Sequence, residues 1–477
     1  MAHQRFRVPG GDGEVLSIPD FSILPRLIEE NRRRLRRVDV LIDGQPLHQF
    51  RARAREEILQ RLGVPDETGP LLLTGHQPEL FHPGVWVKIF SLYGLSKAVG
   101  GVPLNLSVDN DTLKSASLRF PVFEPGDPSS AHAVWLPFDR FTGETPYEGR
   151  RVLDEQLFRS FPSRAEPLWR NWGYEPLLAR YWRVHETIAG SFRDTRWKCE
   201  EDWDCRVFDL SVSELATTKA FGRFAAQLLR DLPRFREVYN AAIRNYRRLN
   251  RIRSRSHPAP ELGPNEAPFW TAAQSERGRQ RATTEDSSQL LRPRALTLTL
   301  FARLCLGDFF IHGIGGGKYD EVTDQIIQNY FGVEPPGFQV LTATLRLPLP
   351  GVSAPAGGVE RLQVQARDVY WNPQRHLSAE QMSDPAIGEL LAVKDHLIQA
   401  EPPLSDHAAR RRWFHALQDI TAELREFASQ PLRRAEAGEH RARIERAASE
   451  VLHRRDYSWV LYPEATLRPF LERFLRV

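Results

Sequence analysis

Cysteine and methionine are scarce in these 477 residues: three cysteines (Cys199, Cys205, Cys305) and two methionines. Three thiols cannot build a disulfide framework, and without a CxxC pair or a Cys/His cluster no zinc ligand set is present, so no metal site is expected. Long apolar runs are missing too. None approaches the roughly 20 residues that span a bilayer, and Met1 to Asp20 carries Arg5 and Arg7 without the apolar stretch of a secretory leader. The expectation is a cytoplasmic protein with no membrane partner. A dominant sign of charge is also lacking, since 65 basic and 61 acidic residues leave only +4. That balance does not by itself imply nucleic acid. Lysine is the rare base: seven (88, 97, 114, 198, 219, 318 and 394) leave 58 of the 65 basic residues as arginine. A lysine beside candidate chemistry therefore stands out.

With 41% apolar and 26% charged residues the chain is an ordinary globular one, long enough for about three domains. Residues 20 to 63 read as helix, with Ile23, Leu27, Ile28 and Leu35 recurring among arginines. Leu71 to Thr74, a loop with Pro78 and Pro83, an apolar helix from Val85 to Ala98, and Val102 to Val108 then spell strand, loop, helix, strand. The same grammar returns as an apolar helix Ala295 to Leu306, a strand Phe309-Phe310-Ile311, a glycine-rich loop His312 to Lys318, a helix over 319–331 and a strand Phe338 to Leu345. Short apolar strands alternating with helices predict an α/β fold with a parallel sheet covered on both faces. The expected division is 1–119 for the first half of this core, 120–290 for a mostly helical insertion, and 291–375 for the second half with a β-excursion after 345. A charged helical hairpin, or coiled coil, over 376–456 and a segment 457–477 docking on the core complete it.

Ligands of parallel sheets sit beyond the carboxyl ends of the strands, and three segments fall there. Thr74-Gly75-His76-Gln77 leads to His82-Pro83-Gly84, where a helix start offers free N–H groups to an anion. His76 and His82 then either donate to a ligand or cap and order the loop. Asp109-Asn110-Asp111, with Lys114 behind it, follows a strand; such carboxylates hold an amine, act as base, or cap a helix. In the third segment, Gly313, Gly315, Gly316, Gly317 and Lys318 form a backbone cradle for a carboxylate or phosphate. It is not a P-loop, because His312 and Tyr319 stand where glycine and Ser/Thr are required. The arginine runs 32–37 and 244–255 read as phosphate contacts or as solvated helix faces.

Taken together, Thr74-Gly75-His76-Gln77-Pro78-Glu79-Leu80-Phe81, Val108-Asp109-Asn110-Asp111, and Leu291-Arg292-Pro293 leading to Gly313-Ile314-Gly315-Gly316-Gly317 resemble motifs of the bacillithiol-synthesis family that adds cysteine to glucosaminyl malate (BshC). The resemblance covers the core and the C-terminal layout; the insertion at 120–290 has no match in detail. The chain departs from the pattern at four places: His76 replaces a glutamine, Asn110 replaces a histidine, the glutamate of the glycine loop has no counterpart, and Lys88 sits two positions early. The resemblance implies a Rossmann-like core, a coiled coil used for homodimerisation, and amide formation between a cysteine carboxyl and a glucosamine amine. His76, Gln77, Asp109 and Asp111 are then the expected catalytic groups. Thr74, Gly75, His82, Asn110, Gly313, Gly315, Gly316, Gly317 and Lys318 are the expected binding groups, and ATP–Mg²⁺ is a candidate activator. A nucleotidyl transferase and a non-catalytic coiled-coil assembly protein are the alternatives, and nucleic-acid binding through the arginine runs is a weaker one.

Overall fold

A computed structural model describes residues 6–64, 69–271, 279–286, 291–350 and 359–476. The chain forms two compact units. The first comprises Met1–Phe120, Trp135–Pro348 and Arg454–Val477, and the second comprises Pro121–Val134 and Leu349–His453.

The first unit is built on six strands: β1 (Val15–Ile18), β2 (Leu71–His76), β3 (Val102–Ser107), β4 (Phe208–Ser211), β5 (Phe309–His312) and β6 (Gln339–Ala343). They lie in the order β1-β6-β5-β2-β3-β4. β2 to β6 are parallel, and β1 closes one edge antiparallel to β6. From the β4 edge the parallel strands follow one another as third, second, first, fourth and fifth in the chain, which is the Rossmann arrangement. The protein is therefore α/β and Rossmann-like. Connections leave β2 toward β3 and β5 toward β6, in opposite directions, so the switch point lies between β2 and β5.

Alternation along the strands puts side chains on both faces. Leu71, Leu73, Leu104 and Leu106 share one core with helices α1 (Leu24–Arg37), α2 (Leu47–Arg61), α4 (Lys219–Arg230), α5 (Leu232–Leu249) and α6 (Ile314–Phe331). Leu72 is fully buried outside that cluster. Helix α3 (Pro83–Val99) is also outside it. Its Trp86 packs 4.3 Å from Trp459 and 5.5 Å from Trp203, which brings the C-terminal segment onto α3. Left-handed glycines at Gly100 (φ 63°) and Gly332 (φ 70°) terminate α3 and α6, a conformation that costs any other residue a Cβ clash.

Several expectations change on inspection. The helix over 20–63 is two helices, broken by a hairpin of Leu41–Ile42 and Gln45–Pro46 whose turn holds Asp43 and Gly44 at positive φ. Segment 120–290 is not only helical. It supplies the core strand β4 and a small sheet of Glu266–Thr271 between Gln280–Thr283 and Leu291–Pro293. The glycine-rich loop is the first turn of α6, which begins at Ile314 rather than 319. In the second unit the β-excursion is replaced by helix α7 (Val359–Trp371); Pro355 and Gly357-Gly358 lie outside the described residues. Helices α8 (Pro385–Gln399), α9 (His407–Phe427) and α10 (Ser429–Leu452) follow. α9 and α10 are consecutive, yet α10 packs chiefly along α7 and α9 along α8. Each apolar stripe thus finds an earlier helix as its main partner. Among the described residues no helix is long and apolar enough to cross a membrane.

Candidate functional site

The carboxyl ends of β2 and β5 open the crevice that the switch point defines. β2 is tied to β5 by Thr74, buried, whose Oγ1 donates to the Ile311 carbonyl at 2.8 Å. Thr74 thus braces the two strands instead of facing a ligand. Gly75 lies close to β3: a Cβ there would stand 3.1 Å from the Leu106 oxygen. Its own carbonyl accepts from Lys88 Nζ at 2.9 Å. Lys88 is only 3% exposed, and burial lowers its ammonium to about 8.

His76 follows, its Nδ1 3.2 Å from the Gln77 carbonyl and its ring edge-on to Phe81. Burial, and then the charge of Lys88, depress its imidazolium to about 3, so the ring is neutral at neutral pH. His82 takes the capping alternative. Its Nδ1 accepts from Gly84 N at 3.0 Å, at the first turn of α3, and burial with nearby Arg455 holds it at about 4.

The acidic segment after β3 divides into three roles. Asp109 is 7% exposed, and both its oxygens are engaged by Ser213: Oδ1 by the backbone N–H at 2.9 Å, Oδ2 by the hydroxyl. It braces the short helix Val212–Leu215, and burial raises its carboxyl to about 6. Asn110 donates to the Pro293 carbonyl at 2.8 Å, while its own Oδ1, buried, has no hydrogen-bond partner among the described residues. Asp111 is half-buried and carries a charge that three donors engage. Gln77 Nε2 donates to its Oδ2 at 2.8 Å, Thr112 N to its Oδ1 at 2.9 Å, and Arg279 reaches Oδ1 at 3.0 Å. Burial opposes that charge, but these donors outweigh it and hold the pKa below the ordinary carboxylate value. Gln77 and Asp111, chosen from separate motifs, are thus in direct contact.

Behind β5, Gly313 caps α6 without a side chain, leaving backbone N–H groups of the first turn for a ligand. Gly315 borders open space, whereas Gly316 abuts the His312 ring and Gly317 abuts Val340. Lys318 is partly exposed and makes no ion pair among the described residues. Among the described residues no hydrogen bond joins this segment to the first two.

Sequence reasoning missed the groups that anchor the site. Arg279 braces Asp111, donates to the Asn110 carbonyl at 2.6 Å, and stacks 4.5 Å from Trp270, whose ring also lies 5.0 Å from Arg294. Arg292 pairs with Glu148 rather than facing an anion. Beneath α6, His312 Nε2 lies 2.5 Å from Asp320, which Arg303 also reaches at 2.9 Å. Burial lowers the histidine, while His312 and Arg303 together keep Asp320 ionised against its own burial. A His312–Asp320 spacing of eight residues is a weak signal; Arg279 had none.

The fold and crevice define a Rossmann-like α/β protein with an ionised carboxylate and an uncapped helix start at its switch point. No family model and no curated protein matches the chain. Among solved structures, the tryptophanyl-tRNA synthetase of Plasmodium falciparum is similar over 91% of this chain and 99% of its own, at 9% identity and a TM-score of 0.25. Likeness at that level carries no functional argument.

Proposed function

We propose that this chain is a carbon–nitrogen ligase that joins the carboxyl group of an amino acid, cysteine in the family it resembles, to the amine of a small anionic sugar conjugate such as glucosaminyl malate. The observation that carries the reading is Asp111, an ionised carboxylate held by Gln77 and Arg279 at the switch point. Such a group attracts a substrate ammonium and takes up its proton as the amine becomes a nucleophile. Gln77 and neutral His76 are placed beside it to donate to a carbonyl oxygen that gains charge. The free N–H groups at the start of α6, with Lys318, suit a carboxylate or phosphate handle. Asp109, Thr74 and His82 serve by positioning.

The free amine nitrogen bonds to the carboxyl carbon as the bond from that carbon to an activated oxygen breaks, and the second proton that this nitrogen sheds leaves with the departing oxygen group. A free acid needs that oxygen activated, and ATP supplies a phosphoryl or adenylyl group in many such reactions. Among the described residues no group of three or more His, Cys, Asp or Glu side chains is arranged to hold a metal ion. ATP–Mg²⁺ therefore enters as a co-substrate to be tested. Homodimerisation through the helices of the second unit belongs to the same proposal.

The test is mass spectrometry of the full chain incubated with L-cysteine and glucosaminyl malate, with and without ATP–Mg²⁺. A condensed product that Asp111→Asn abolishes is the expected result, and the ATP lane identifies the activator. Absence of product from folded protein across these lanes overturns the substrate pair.

A further inference from the structure

At the amino end of β2 and β5, away from the crevice, α1 and α2 flank a cavity of about 290 Å³. Arg32 and Arg36 reach it from α1, Arg51, Arg55 and His48 from α2, and its carboxylates are Asp308 and Glu56. Asp308 is 3% exposed and immediately precedes β5. It accepts from Arg51 at 2.7 Å, Arg55 at 2.8 Å and Leu71 N at 2.9 Å, with Arg32 Nε at 3.9 Å. Arg51 is further fixed by the carbonyls of Leu304 (2.7 Å) and Gly307 (2.9 Å), and Arg55 by that of Gly69 (2.8 Å). One buried carboxylate thus orders two guanidinium groups along the cavity wall, with a third, Arg32, at 3.9 Å and also engaged by Glu29 at 3.4 Å. Glu56 is exposed and engages Gln60 at 3.3 Å. Arg36 and His48, both exposed, make no ion pair among the described residues.

Four guanidinium groups line the cavity against Asp308 and Glu56, and Glu29 engages Arg32 at 3.4 Å, which leaves an excess of one positive charge. Like charges in a recess repel more strongly than in open water, so an anion entering there relieves a standing cost. Guanidinium forks match the oxygens of a phosphate, and two of these are already immobilised, which reduces the ordering cost of binding. The volume is near the lower end of small-molecule sites, which run from about 300 to 1,000 Å³. It suits one or two phosphoryl groups and not a polynucleotide strand. We propose that this cavity binds a small phosphorylated anion of about the size of pyrophosphate, at the end of the sheet opposite the crevice. The site draws on no residue of the proposed ligase chemistry.

Isothermal titration of the full chain with inorganic pyrophosphate at fixed ionic strength tests it, with glucose 6-phosphate and malate as parallel titrants. In the Lys318→Glu background, which removes the cation at α6, one saturable site is expected for a phosphorylated titrant. Affinity should fall about tenfold or more in Arg36→Glu and in His48→Glu, each checked for a parental melting temperature. It should be unchanged by Lys318→Glu itself. The proposal is overturned by an absence of saturable binding, or by binding that survives Arg36→Glu and His48→Glu but disappears in Lys318→Glu. Malate binding as tightly as pyrophosphate, or a short single-stranded oligonucleotide binding more tightly, overturns the ligand class.

Discussion

Two strands carry the chain into a helix at the switch point, and they do it by opposite means. After β2, six residues from Gln77 to His82 intervene, and the ring of His82 caps the first turn of α3. After β5 only Gly313 intervenes, and α6 begins with glycines and no side-chain cap. A long crossing has room for side chains, so the first one displays His76 and Gln77. A short crossing has none, so the second displays backbone N–H groups, and its polar side chains, His312 and Asp320, are buried beneath the helix. The two halves of a Rossmann core thus present different groups beyond the sheet: polar and charged side chains from one side, backbone N–H groups from the other.

That contrast can be broken at either crossing, and the costs should differ. Asp320→Asn removes the carboxylate that Arg303 and His312 share, while Asp324 still pairs with Arg303 at 2.8 Å; a loss of about 3 kcal/mol in denaturant unfolding is expected. His82→Ala at the other crossing removes only a cap and should cost about 1 kcal/mol. Equal losses would erase the distinction between a buried brace and a surface one.

Glycine substitutions sharpen it further. A Cβ at Gly84 would meet the Ala343 carbonyl oxygen at 2.1 Å, backbone against backbone, so Gly84→Ala should destabilise by about 3 kcal/mol. A Cβ at Gly317 would meet Val340 Cγ2 at 2.4 Å, a side chain that can turn aside, and the expected cost of Gly317→Ala is about 2 kcal/mol. Gly315 borders open space, and Gly315→Ala should stabilise α6 by about 0.5 kcal/mol. Melting temperatures in the order Gly315→Ala, parent, Gly317→Ala, Gly84→Ala check the series.

The smallest effect is the pH dependence that His82 contributes at the first crossing. His82 titrates at about 4 when folded and near the ordinary 6.5 when unfolded. As pH falls through that window the unfolded chain takes up a proton that the folded chain refuses, so this histidine draws stability down. His82→Asn keeps an acceptor for Gly84 N and has no such proton. Its melting temperature should gain on the parent between pH 7 and about 4.5; a constant difference across that range would exclude the effect.

Much of this architecture was legible in the residues. Leu71 to Thr74 and Phe309 to Ile311 are runs short and apolar enough for buried parallel strands, and β2 and β5 contain them. Pro83, Gly100 and Gly332 mark helix ends by their own backbone preferences. The start of α6 was not legible, because glycine disfavours helix locally and only contact with His312 and Val340 makes its lack of a side chain useful. Helix α7 was hidden for a similar reason: the prolines and glycines before it suggested irregular chain, while its apolar face is completed by α10.

What the sequence determined by itself, then, was four of the parallel core strands, β2, β3, β5 and β6, and the three segments that reach the carboxyl end of the sheet. Those follow from local preferences and from apolar periodicity, which a chain carries whatever it later touches. The tertiary structure decided what each polar residue does. Asp109 became a brace because Ser213 lies across from it, 104 residues on in the chain. Asn110 was tied to Pro293 over 183 residues, and Asp111 kept its charge because Gln77 and Arg279 converge on it. Identical carboxylates two positions apart acquired different proton affinities through partners that only folding brings together.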